Sequence, residues 1–120
     1  MQAVGEVVFA PTNKRMGNTE WGMKHHFCVG PVNRIYLFIC KRQFPYDFPI
    51  TKADCCGLEF EESYISLVRP RFVSDAELRS DRTRTTCTVS ADFLGRFRLH
   101  VAHTPFLNEK DRKVILRELP

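Results

Sequence analysis

His26-Phe27-Cys28 and the adjacent pair Cys55-Cys56 hold the softest metal ligands and best nucleophiles of this chain. On a strand, His26 and Cys28 project from the same face, because alternate residues share a side. Neighbouring cysteines seldom both reach one tetrahedral ion, and no C-x2-C spacing occurs, so these residues read as buried or incidental thiols rather than a zinc site. A cysteine nucleophile needs a histidine base within hydrogen-bond reach. Cys87 is expected to point inward, and the sequence alone brings no histidine to Cys28, Cys40, Cys55 or Cys56. His100 and His103 are three apart, a ligand spacing on a helix but not on a strand. The glycines at 5, 17, 22, 30, 57 and 95 form no phosphate-cradling loop. Glu61 and Glu62 are adjacent, so on a strand they point to opposite sides. No catalytic residue, metal or cofactor is nominated. An enzyme here would need a site of dispersed residues, with His25, His26, Cys55 and Cys56 the first to consider.

The better-defined constellation is basic. In Arg84-Thr85-Thr86-Cys87-Thr88-Val89-Ser90-Ala91 the apolar residues are Cys87, Val89 and Ala91. In Arg96-Phe97-Arg98-Leu99-His100-Val101 the odd positions are again apolar. With Asp92-Phe93-Leu94-Gly95 between, the pattern predicts a β-hairpin. Opposed residues share a face, so a three-residue loop, with Gly95 free to take the left-handed conformation of a bulge, pairs Val89 with Phe97 and Cys87 with Leu99. The other face then carries Arg82, Arg84, Arg96, Arg98 and His100 among threonines and a serine. Alternate strand residues lie about 6.8 Å apart, near the spacing of successive phosphates on one strand. Arginine forks and hydroxyls are phosphate donors. The expected partner is nucleic acid, including RNA, or an acidic protein surface. Against this stands the ordinary wet face of an antiparallel sheet, on which Glu59 and Glu61 of a neighbouring strand could pair with the arginines. No exposed aromatics interleave with them, as base stacking would want. Trp21, in a polar loop, is either a plug over the core or an anchor for a partner.

The elements that must hold these residues are mostly strands. Glu6–Ala10 and Lys24–Val29 are extended segments closed by Pro11 and by Gly30-Pro31. Arg34–Cys40 is apolar without alternation, the pattern of a central strand covered on both faces. Gln43–Ala53 is a proline-punctuated loop. Leu58–Glu61 and Tyr64–Val68 continue as strand, and Ser74–Glu77 has capping-box spacing for one helical turn. Asn108 and Asp111 precede Val114, Ile115, Leu116 and Leu119, which predicts an amphipathic helix over about Glu109 to Leu119.

The 120 residues suit one domain over 1–120, and 43% hydrophobic residues with ten phenylalanines supply an ordered core. The expected fold is mainly β, a sandwich or partly open barrel with a short C-terminal helix; the alternative is α+β. Eighteen basic against 14 acidic residues give +4, enough for weak attraction to polyanions. Five cysteines, an odd number with one adjacent pair, and an N-terminus without a basic start and apolar run argue against a secreted disulfide framework. No apolar run approaches the roughly 20 residues of a membrane span. A cytoplasmic or nuclear chain is expected, with no membrane contact. The function that follows is a small non-catalytic binding or assembly module, a subunit of a larger complex. A structural homo-oligomer is the third reading.

Overall fold

The computed structural model describes residues 4–11, 23–31, 35–41, 47–67, 71–72 and 83–120. Its strands are β1 (Glu6–Pro11), β2 (Met23–Gly30), β3 (Ile35–Cys40), β4 (Phe48–Thr51), β5 (Glu62–Ile65), β6 (Arg71–Phe72) and β7 (Arg84–Thr88), followed by helices α1 (Ala91–His103) and α2 (Glu109–Glu118). The strands form one antiparallel sheet, curled into a half-barrel, in the order β4-β5-β3-β2-β1-β7, with β6 paired to β3. The expected β-rich fold with a C-terminal helix is the observed one.

Register follows from burial. Val7 lies opposite Phe27, and Phe27 opposite Leu37, so these three form a row on one face. Val29, Ile35, Ile39, Ile50 and Ile65 join that face, and both helices cover it with Phe93, Leu94, Phe97, Val101 and Ile115. The opposite face is apolar too: Val8, Ala10, Cys28 and Tyr36 are buried there as a second cluster. That explains why β3 shows no alternation. It is central, flanked by β2 and β5, and buried on both sides.

Gly5 stands where β1, β2 and the approach to α1 meet. Its φ of 88° is the left-handed region that glycine enters without strain. Its N–H donates to the Cys28 carbonyl (2.9 Å) and its carbonyl accepts from Val89 N–H (3.0 Å). A side-chain carbon there would crowd Val89 at 3.2 Å and Leu94 at 3.3 Å.

Several expectations need correction. Residues Ala91–His103 are helix α1, not the return strand of a hairpin. The Phe93 N–H donates to Ser90 Oγ at 3.1 Å, a helix N-cap. Phe93, Leu94, Phe97 and Val101 then recur at helical spacing and form the buried stripe. Leu99, which alternation would turn inward, is 64% exposed. β7 finds its partner in β1, with Cys87 opposite Val7 and Arg84 opposite Phe9. The loop expected over Gln43–Ala53 contains β4, an edge strand whose Pro49 is exposed, where its missing N–H is tolerated. Leu58–Glu61 precede β5 outside its ladder. Cys55 and Cys87 are not thiols: they form a disulfide, with Cα atoms 5.6 Å apart and a sequence separation of 32. The single helical turn at Ser74–Glu77 lies outside the described residues.

α2 forms where expected. Asn108 Oδ1 accepts from Asp111 N–H and Asn108 Nδ2 donates to Asp111 Oδ2, both at 2.8 Å. Among the described residues, no helix is long and apolar enough to cross a membrane.

Candidate functional site

Arg84 on β7 and Arg96, Arg98 and His100 on α1 do not share the sheet face that a hairpin would give them. Two residues on a strand return to the same side, whereas two residues on a helix turn through about 200°. Arg96 and Arg98 therefore leave α1 from opposite flanks. Arg96 Nε donates to Asp92 Oδ2 at 3.2 Å, Nη2 lies 3.7 Å from Asp54, and the guanidinium sits 5.4 Å from the centre of the Phe93 ring. Arg98 turns the other way, and its Nη1 donates to the Leu116 carbonyl at 2.8 Å. The half-buried His100 ring lies 5.1 Å from that of Phe48, at the rim of an aromatic cluster with Phe27, Phe93 and Phe97. Arg84 remains exposed on β7, with its guanidinium 4.7 Å over Phe9. Arg82 and Trp21 lie outside the described residues.

The Arg84–Phe9 stack continues across the sheet to His25, whose ring is 4.6 Å from Phe9. Burial, then the Arg84 charge, hold His25 below its usual 6.5, with Glu59 opposing weakly. His25 and His26 project to opposite faces. His26 is buried, 5.1 Å from Phe38 and edge-on to Tyr36. Cys28 shares the face of His26 as expected, but burial pushes its thiol up to about 11, the reverse of what an activated nucleophile needs. Cys55 is bonded to Cys87 and offers no free thiol, while Cys56 is exposed. The dispersed His and Cys residues are thus divided between two faces and a loop. Among the described residues no three His, Cys, Asp or Glu side chains converge.

Sequence reasoning missed the basic stripe of α2. Lys110, Lys113 and Arg117 are all exposed, while the opposite side of the helix buries Ile115 and half-buries Asp111 and Arg112. The spacing i, i+3, i+7 places three cations along one line about 10 Å long. Arg98 adds a fourth charge at its end, anchored on the carbonyl of the residue preceding Arg117. The signal was legible in Lys110-x-x-Lys113-x-x-x-Arg117 once the helix was assigned. Glu109, Asp111 and Glu118 flank the stripe.

Arg112 fixes α2 against α1. Its guanidinium donates to the carbonyls of Val101, Thr104 (2.6 Å) and Leu107 (3.2 Å), and to Glu109 at 3.1 Å. It thereby satisfies the Val101 carbonyl in the last turn of α1, the Thr104 cap carbonyl and one carbonyl of the connection to α2.

No protein-family model matches the chain, and neither the curated proteins nor the solved structures contain a match.

Proposed function

We propose that this protein is a non-catalytic binding module that docks on an acidic protein surface through the outer face of α2. The observation that carries the reading is the line of exposed cations Lys110, Lys113 and Arg117, with Arg98 fixed at its end. These charges are carried on a helix braced by Arg112, so docking needs no ordering of the backbone, only of the side chains. Opposite charge across an interface accelerates encounter and fixes register.

Two features favour a protein over a nucleic acid as the occupant. The acids Glu109, Asp111 and Glu118 on the same helix would repel a continuous line of phosphates, yet mixed charge is ordinary in the rim of a protein interface. Leu99, on the outer face of α1, is 64% exposed and supplies apolar area that phosphate contacts do not use. RNA is the competing occupant. A fluorescein-labelled peptide in which glutamates are interspersed with leucine and lysine, and a single-stranded RNA of equal net charge, compared by anisotropy, distinguish the two. The reading requires the peptide to bind more tightly, and tighter RNA binding would replace it with the nucleic-acid alternative.

A further inference from the structure

We propose that the Cys55–Cys87 disulfide is a reversible redox clasp that closes the curled sheet along the seam between loop 52–61 and β7. This inference is independent of the binding role of α2. β4 and β7 stand at the two ends of the strand order. Cys55 follows β4 by four residues and Cys87 lies within β7, so one bond ties the two ends of the half-barrel together.

The bond is accompanied by apolar packing, since Cys55 and Leu58 of the loop are buried in the main core with Cys87 packed against it. Beside the seam, Asp54 lies 3.7 Å from Arg96 of α1, whose side chain is 54% exposed, and such pairs add little. Gly57 passes so close to β7 that a side-chain carbon on it would lie 3.1 Å from the Thr86 carbonyl oxygen. The Thr86 hydroxyl is buried there with no hydrogen-bond partner among the described residues. The seam is closed by shape and by the covalent bond.

Each half of the clasp is held by its own element. Thr51 N–H and Oγ1 donate to Asp54 Oδ2 at 2.9 and 3.0 Å, and the N–H groups of Asp54 and Cys55 both donate to the Thr51 carbonyl at 3.0 Å. Leu58 N–H closes the next turn on the Cys55 carbonyl at 3.2 Å. This turn presents Cys55 without help from the bond, and the β1 ladder fixes Cys87 opposite Val7. Both sulfurs therefore return to the same places after reduction, which makes the change reversible.

The chemistry is thiol–disulfide exchange with a dithiol. A dithiol thiolate attacks Sγ of Cys87, the more accessible sulfur. Cys55 departs as a thiolate and takes up a proton. The second thiol of the reagent then displaces Cys87 and forms the reagent's own disulfide. Two electrons and two protons pass to the protein, and oxidation by a small-molecule disulfide reverses the sequence.

The test is amide hydrogen exchange on the full-length chain, air-oxidised, then treated with dithiothreitol, then reoxidised with glutathione disulfide, with Cys56→Ser as a control that keeps the bond. Reduction is expected to accelerate exchange in residues 52–61 and 84–88 by about ten-fold or more while the β2–β3 amides keep their protection. Reoxidation should restore the first rates, and Cys56→Ser should behave as the parent. Unchanged exchange on reduction would overturn the clasp. So would loss of protection throughout the sheet, which would make the bond a staple of the whole fold. Alkylation of Cys55 and Cys87 in the air-oxidised protein would overturn it as well.

Discussion

Arg98 donates from Nη1 to the Leu116 carbonyl oxygen at 2.8 Å, a bond that joins the flank of α1 to the last turn of α2. It sets the direction of a charge that a strand would have placed beside Arg96. A cation near a helix C-terminus is also favoured by the helix dipole, so the contact steadies α2 while extending its basic line toward Arg117. Arg96, two residues away, is spent on Asp92 and Asp54. The two arginines thus belong to different surfaces.

Gly95 separates the helix from the hairpin by experiment. On α1 it faces solvent, and an added side chain meets nothing within 4 Å. Gly95→Ala is expected to stabilise the protein by about 0.5–1 kcal/mol in urea denaturation, the usual gain for replacing glycine inside a helix. At a left-handed bulge position, the same change would destabilise it.

Arg112→Ala is expected to cost about 2–3 kcal/mol, because it leaves the Val101, Thr104 and Leu107 carbonyls without their shared charged donor. Arg112→Lys should recover only part of this, since an ammonium cannot fork across three carbonyls. Chemical denaturation of the three proteins measures both effects.

His25 should titrate below 6.5, visible in its ring proton shifts by NMR. Its folded-state value is depressed, so its contribution to stability is present above 6.5 and is lost as pH falls through the folded value. Arg84→Gln removes the second-largest cause and should move the midpoint upward, leaving the burial contribution in place.

Much of the sheet could be read directly from residue order. β1 and β2 announce themselves by β-branched and aromatic runs ended by proline or glycine, β3 by its unbroken apolar run, and α2 by the Asn108 cap. The segment 91–103 did not, because Phe97, Leu99 and Val101 alternate as well as any strand. The decisive spacing is Phe93, Phe97, Val101 with Leu94 beside it, preceded by Ser90 and Asp92, which cap and charge a helix start. Gly95 and the aromatic residues, poor helix formers, concealed that pattern, and packing against Phe27 and Phe48 outweighed their propensity. β4 was hidden by Pro49. The Cys55–Cys87 pairing was not legible because it depends on the sheet curling its two ends together, which no local pattern encodes. The basic candidates moved for the same reason as α1: a change from a period of 2 to one of 3.6 redistributes every side chain.

The central claim is that the α2 stripe is a docking surface, and charge reversal tests it most directly. Anisotropy of the labelled mixed acidic peptide would be followed across a salt series for the parent, for Lys110→Glu/Lys113→Glu/Arg117→Glu, and for Arg96→Glu. The account predicts salt-sensitive binding by the parent, about ten-fold or greater loss in the triple variant with its fold intact by circular dichroism, and little change in Arg96→Glu. Binding that survives reversal of the α2 stripe, or that is lost equally in Arg96→Glu, would contradict it.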